Sequence, residues 1–266
     1  MTGAESAGGI TISVAELRAR LEGASPAALS RASMSAGERI CGVSIDTRTL
    51  VPGNLFVAFK GERTDGHHFV AQALAAGAPL VLVERPCPDI PEAAQLQVAD
   101  SLGALHALAA YYRVAAGFHV IGVTGSVGKT GVKEMLALAL QDQVPAAATR
   151  GNDNNHLGLP LTLLNTPASI RYLVLEMGMN HAGEIALLSR LARPNLALIT
   201  TVAAVHLEAF TSVTGIAHAK AEIMLGMEAG APVLLPGDNA YLEVLRETAQ
   251  ARGLTCALFG VAAGSD

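Results

Sequence analysis

The 266-residue sequence predicts an α/β protein built in two parts. A small N-terminal α/β domain precedes a larger one whose mostly parallel sheet is flanked by helices. Three observations predict this. Residues 119–135 read as a strand, a Gly-rich turn and a helix. From residue 120 onward, short apolar runs alternate with longer amphipathic stretches, the pattern of a parallel sheet with crossover helices. A Pro-rich stretch, Pro86-Cys-Pro-Asp-Ile-Pro91, separates this segment from an earlier, shorter alternation.

Taken in order, residues 1–9 are small and polar and read as a frayed, disordered end. Ser13 precedes Val14, Leu17 and Leu21, with Glu16 three residues on, a capping-box signature for a short helix. Apolar runs at Ile40–Ile45, Leu55–Phe59 and Leu80–Val83 read as strands. Phe69, Ala73, Leu74 and the stop at Gly77 read as a helix between the last two. These define a first domain over residues 10–85, joined by a connection at 86–100 to a second domain over 101–266. The connection ends in a short strand at Leu96–Val98, and Leu102, Leu105, Leu108, Ala109 and Tyr112 open the second domain as a helix. Strands follow near 120–123, 172–176, 196–200, 232–235 and 255–259. Helices fall near 130–140, 183–192, 213–228 and 239–252, the first with Met135, Leu136 and Leu138 as its apolar face. The chain ends just after the last strand, which reads as an interruption in mid-fold.

Composition narrows the function classes. A net charge of −5 gives no electrostatic case for nucleic acid. The most apolar window, near 102–125, is broken by His106, Arg113 and His119, so no membrane insertion is expected. Cys41, Cys87 and Cys256 are far apart and form no C-x-x-C pair, and the N-terminus has no basic segment before an apolar one. Both features fit a reduced, cytoplasmic setting.

The chemistry starts at Thr124-Gly125-Ser126-Val127-Gly128-Lys129-Thr130. Glycines let backbone amides turn inward around phosphate oxygens, and the helix that follows adds the positive end of its dipole. Lys129 would reach the β- and γ-phosphates and the Thr130 hydroxyl would ligate Mg²⁺. The general phosphate-loop pattern also wants a glycine at position 123, which here is Val123. Glu176 ends the apolar run from Tyr172, where a carboxylate at a strand tip can bind Mg²⁺ directly or through water. Gly151-Asn-Asp-Asn-Asn-His156 is a polar loop opening a helix; its amides could hold a carboxylate or phosphate, or simply cap the helix. On spacing alone His206 reads as a structural or exposed histidine rather than a ligand, and Lys220 reads as a solvated lysine on an amphipathic face. Arg48 and Lys60 would suit a pyrophosphate or carboxylate, or belong to ordinary surface loops.

Together these segments resemble the Mur ligase family, ATP-dependent amide-forming enzymes of peptidoglycan precursor and cell-wall synthesis. The resemblance rests on Asp46-Thr-Arg48 with Pro52–Ala58, Lys60–Gly66 and Thr124–Thr130 with Lys133-Glu134. It continues through Gly151-Asn152, Asn154-Asn155 with Gly158–Leu164, Glu176, Gly183-Glu-Ile185, His206-Leu-Glu208 and Ala219-Lys-Ala-Glu-Ile223. The Asn154-Asn155 and Gly158–Leu164 segment points to the member that joins D-Ala-D-Ala to a UDP-N-acetylmuramoyl-tripeptide through an acyl phosphate.

The resemblance implies ATP and Mg²⁺ as cofactors. It makes Gly125, Ser126, Val127, Gly128, Lys129, Thr130, Asn152 and Asp238 nucleotide contacts. Thr130 and Glu176 would hold one Mg²⁺, while His206 and Lys220, the latter carbamylated, would hold a second. Asn154 and Asn155 face the substrate, and Asp46, Thr47, Arg48 and Lys60 fall in the UDP-sugar domain. A monomer is expected. The chain departs from the family at Pro236, where Asn is usual, and at Thr200, Thr201 and Thr211. The resemblance extends over the family's first two domains and not its C-terminal Rossmann-like domain, so these 266 residues are expected to bind ligands better than they turn them over. Two other readings stay open: a fragment that only binds ATP and the UDP-sugar peptide, and a related ligase adding another amino acid.

Overall fold

The computed structural model describes residues 8–24, 39–61, 64–205 and 210–261. The chain divides into two compact units, Met1–Ala116 with Leu163–Ala168, and Gly117–Thr162 with Ser169–Asp266.

In the first unit, strand β1 (Thr11–Ser13) runs straight into helix α1 (Val14–Ala24), and the Glu16 amide donates to Ser13 Oγ at 3.2 Å, as the capping signature predicts. Strand β1 pairs antiparallel with β2 (Arg39–Cys41), setting buried Ile12 opposite buried Ile40. The expected strand Ile40–Ile45 is broken at Gly42, after which β3 (Val43–Ser44) starts a different sheet. Gly42 has φ +83, and a Cβ there would lie 2.8 Å from Asn54 Nδ2 and from Asn165 Oδ1, so the turn needs glycine. The second sheet is parallel, in the order β3, β4 (Leu55–Val57), β5 (Val81–Val83) and β6 (Gln95–Gln97). Helix α2 (Val70–Ala75) packs Val70 and Ala73 against Phe56, Val81 and Val83. Strands buried on both faces read as continuous apolar runs, which is why these were legible.

Helix α3 (Ser101–Ala115) belongs to this first unit, although the sequence reading opens the second domain with it. It lies against α1: Tyr111 Oη donates to Glu16 Oε1 at 2.7 Å, and the Arg20 guanidinium sits 4.3 Å over the Tyr111 ring. Tyr112 Oη donates to the Thr166 carbonyl at 3.0 Å, tying the 163–168 segment to the same unit.

The second unit carries a six-stranded sheet, all parallel. Its strands are β7 (His119–Thr124), β8 (Ala146–Ala148), β9 (Tyr172–Glu176), β10 (Leu196–Ile199), β11 (Pro232–Pro236) and β12 (Thr255–Phe259), in the spatial order β12-β11-β10-β7-β9-β8. The helices are α4 (Lys129–Gln141), α5 (Gly158–Asn165, whose residues from Leu163 onward fall in the first unit), α6 (Glu184–Ala192), α7 (Val213–Ala221) and α8 (Leu242–Ala251). The mostly parallel sheet flanked by helices is the predicted architecture.

The apolar face of α4 is not the one read from the sequence. Met135 and Leu138 are each 64% exposed, while Lys133 and Ala137 are buried and Val132, Leu136 and Leu140 pack on Ile121, Val123 and Val174. At 3.6 residues per turn, positions 132, 133, 136, 137 and 140 share one side, and 135 and 138 point away from it. Because β7 lies inside the sheet, the loops after β7, β8, β9 and β10 meet at one carboxyl-terminal edge, the usual place for a ligand.

Candidate active site at the carboxyl edge of the parallel sheet

The turn after β7 is held open from several directions. Gly125 has φ +150, and a Cβ there would fall 1.9 Å from Thr200 Oγ1; Gly128 has φ +83 and starts α4 with no side-chain cap. The first-turn amides of α4 are therefore not taken by a capping side chain, as an anion site requires. The segment after β10 clamps the turn. The Ser126 amide donates to the Thr201 carbonyl at 2.9 Å, and Ser126 Oγ donates to the Ala203 carbonyl at 3.1 Å. In return the Ala203 amide donates to Ser126 Oγ at 2.9 Å, and Thr200 Oγ1 donates to the Val127 carbonyl at 2.6 Å. Thr200 and Thr201, two of the departures from the family pattern, are thus part of the loop's support.

The Lys129 ammonium bends back to the Gly125 carbonyl at 2.9 Å. Thr130 Oγ1 donates to Glu176 Oε2 at 2.9 Å, and Asn154 Nδ2 donates to Glu176 Oε1 at 2.8 Å. Glu176 is only 1% exposed. Asn154 was expected to face the substrate; the structure engages its amide on Glu176. The absence of a side chain at Gly178, where a Cβ would lie 2.8 Å from Asn154 Oδ1, makes room for it. Asn155 is likewise turned to local use: its Oδ1 accepts the amides of Leu157 at 3.0 Å and Gly158 at 2.9 Å, capping α5. Asn152 is exposed in the same loop.

Lys220 is not solvated. It lies in the last turn of α7 among buried Ala217, Ala219 and Ala221 and is 2% exposed. Burial, aided by the charge of Lys129, lowers its pKa to about 7. Two residues on, Glu222 accepts the amides of Gly183 at 2.7 Å and Ala186 at 3.0 Å, so the start of α6 is already filled by a carboxylate of this chain. His206 lies outside the described residues. Asp238 sits against Gly260 and accepts the Val261 amide at 3.4 Å, at the far side of the sheet edge.

The donors around Glu176 suit a hard cation. A carboxylate and a hydroxyl meet beside the phosphate loop, and the carboxylate keeps lone pairs beyond the two its partners occupy. Among the described residues no group of three or more His, Cys, Asp or Glu side chains is placed to hold a metal. Mg²⁺ is typically held by one or two carboxylates with substrate phosphates completing the shell, and that pattern fits here.

In the first unit, the other predicted contacts follow β3 and β4. Arg48 Nε donates to Asp46 Oδ1 at 2.9 Å and to Oδ2 at 3.0 Å, which lowers the Asp46 pKa to about 2. Thr47 is half-buried and Lys60 exposed, and Lys60 forms a backbone bridge with Asp65. The sequence reading passed over what stands beside Lys60. His67 Nε2 accepts the Glu84 amide at 3.0 Å, so its proton is on Nδ1, directed at Asp65 Oδ1 at 2.7 Å. Arg85 donates to Asp65 Oδ2 at 2.6 Å. The His67 amide, and then Arg85, hold the Asp65 carboxyl below the usual carboxylate range. The Asp-x-His spacing is the only local sign of this cluster.

The sheet order and the edge just described define the class: an α/β protein with a nucleotide-type phosphate loop and an acidic strand tip beside it. Two family models match the chain, the Mur ligase middle domain over residues 123–266 and the Mur ligase family catalytic domain over residues 39–113. The chain belongs to the Mur ligase family. It is 47% identical over 205 residues to the UDP-N-acetylmuramoyl-tripeptide–D-alanyl-D-alanine ligase of Bacillus subtilis (strain 168), covering 77% of this chain and 45% of that protein. A crystal structure of MurF from Acinetobacter baumannii superposes with a TM-score of 0.82 at 38% identity, covering 91% of this chain and 52% of that one. The MurF ligase from Thermotoga maritima in complex with ADP superposes at 0.72 with 32% identity, covering 83% and 50%. The chain spans about half the length of the relatives it matches.

Proposed function

We propose that the chain carries the ATP-binding and UDP-sugar-binding parts of a ligase that joins D-Ala-D-Ala to the terminal carboxylate of UDP-N-acetylmuramoyl-tripeptide. The observation that carries this reading is the bond from Thr130 to Glu176 beside the glycine-framed turn, with Lys129 at its mouth. The names borne by the relatives supply the substrates.

In this reading the amides of residues 127–130 and Lys129 hold the phosphates of ATP, and Thr130 and Glu176 would hold Mg²⁺. Bound Mg²⁺ supplies charge neutralisation where two anions must approach. The tripeptide carboxylate oxygen attacks the γ-phosphorus, the bond to the β-phosphate oxygen breaks, and ADP leaves. The amine of D-Ala-D-Ala then attacks the acyl carbon of the acyl phosphate, loses a proton and displaces phosphate. Lys129 follows the charge that builds on the transferring oxygens. Lys220, largely neutral above pH 7, has the free amine needed to take up CO₂; as a carbamate, with His206, it would hold a second Mg²⁺. Asn152 and Asp238 complete the nucleotide side. Asp46, Thr47, Arg48 and Lys60 offer the first unit's polar groups to the UDP-sugar. A nucleotide-linked substrate and ATP as co-substrate make the cytoplasm its place of action.

The test measures phosphate release from ATP with Mg²⁺, UDP-muramoyl-tripeptide and D-Ala-D-Ala, omitting each in turn, alongside equilibrium binding of both nucleotides. The reading expects saturable binding of Mg·ATP and of the UDP-tripeptide, and phosphate release only when the tripeptide is present. Binding of neither nucleotide would overturn it, as would ATP hydrolysis indifferent to the tripeptide.

A further inference from the structure

The proposed chemistry leaves one fully buried charge unused. Lys133 lies on the sheet-facing side of α4, one turn after Lys129, and is 0% exposed. An ammonium withdrawn from water is costly, and a methionine of similar length would fill the space without that cost. Lys133 has two partners. Its Nζ lies 2.8 Å from Glu134 Oε1, a side chain that is 58% exposed, and it donates to the Thr149 carbonyl at 2.8 Å.

Thr149 is the first residue after β8 and is 2% exposed. All its polar groups are committed. Its amide donates to the Val174 carbonyl at 3.0 Å, extending the ladder with β9, and its Oγ1 accepts the Glu176 amide at 3.0 Å. Its carbonyl is the group that Lys133 holds. From Thr149 the chain runs directly into the loop that brings Asn154 to Glu176 Oε1. The backbone of Glu176 and the amide that orients its carboxylate therefore both hang on one residue. The ammonium of Lys133 fixes that residue to the helix that also carries Thr130.

We propose that Lys133, acting through Thr149, is a positioning residue for the Mg²⁺ carboxylate: it sets Glu176 and Asn154 against Thr130 without touching nucleotide or metal. The proposal rests on the reading of Glu176 as the metal ligand. A hydrogen bond from a charged donor is stiffer than a neutral one, which suits a buried strut between a helix and a strand end. Groups that orient a metal ligand from behind typically change metal affinity by 10- to 100-fold when removed.

The test is calorimetric titration of ATP, with and without a graded Mg²⁺ series, into the native chain and into Lys133→Met, Thr149→Val and Thr149→Ser, with thermal melts to establish folding. The native chain must first show ATP affinity that rises with Mg²⁺; if it does not, the reading of Glu176 itself fails. Given that rise, Lys133→Met and Thr149→Val are expected to shift the half-maximal Mg²⁺ concentration upward by at least about tenfold while Mg²⁺-free ATP binding stays within about twofold. Thr149→Ser, which keeps the oxygen that accepts the Glu176 amide, is expected to titrate as the native chain does. A folded Thr149→Val or Lys133→Met that follows the native Mg²⁺ curve would overturn the proposal. So would equal losses with and without Mg²⁺, which mark general loosening. If Lys133→Met fails to fold, Lys133→Gln, which removes the charge and shortens the reach to the Thr149 carbonyl, is measured in its place and held to the same two outcomes.

Discussion

Lys220 is where a single residue makes the sharpest demand. Its pKa of about 7 in the folded chain, against 10.5 when exposed, means that the unfolded chain holds a proton that the folded one has lost between those values. Stability therefore rises with pH across that window, and the burial cost is greatest at and below pH 7. Lys220→Met is expected to raise the melting temperature by several degrees at pH 6.5, with the gain shrinking steadily toward pH 10. A gain unchanged from pH 6.5 to 10 would contradict the burial account; scanning calorimetry in CO₂-free buffers measures it. At this scale the sequence was legible wherever chemistry is local. Gly125 to Thr130 announce themselves, and Glu176 stands at the end of an apolar run. It was not legible where partners come from elsewhere in the chain. Asn154 and Asn155 look interchangeable in sequence, yet one holds a carboxylate 22 positions away and the other caps its own helix. Lys133 and Lys220 carry no mark that distinguishes a buried amine from a solvated one.

Helix α4 carries the lesson at the scale of elements. Apolar type alone pointed to Met135, Leu136 and Leu138, but the sheet selects the stripe through Val132, Leu136 and Leu140, and accepts a lysine in it. Leu136→Ala should therefore lower unfolding free energy by about 2 kcal/mol in urea titrations. Met135→Gln and Leu138→Gln should each stay within about 0.5 kcal/mol of the native value. Comparable losses at all three positions would mean that the exposed face is packed. Strand β8 escaped the sequence reading because Ala146-Ala-Ala148 has no β-branched or aromatic residue; it is a strand by its register with β9. The run Ile40–Ile45 reads as one strand because Gly42 costs nothing in an apolar count, although its backbone takes the one conformation that ends a strand.

Across the whole molecule, two units and a parallel second sheet follow from the spacing of apolar runs, and the sequence carried that much. The border between the units was not carried. Helix α3 looks like the opening of the second alternation, but its buried side meets α1 some 90 positions earlier, an interaction no local pattern reports. The ligand edge, by contrast, follows from topology: a strand inside a parallel sheet brings its turn and the neighbouring strand tips together whatever the loops contain. The account's central claim is that this edge binds Mg·ATP through the turn after β7. Titration of Mg·ATP into the native chain and into Lys129→Ala tests it most directly, with UDP-muramoyl-tripeptide titrated into both. The account predicts that Lys129→Ala weakens ATP binding by about 10- to 100-fold, the worth of a charge-assisted contact to phosphate, and leaves UDP-tripeptide binding unchanged. Equal ATP affinity in the two proteins would contradict it.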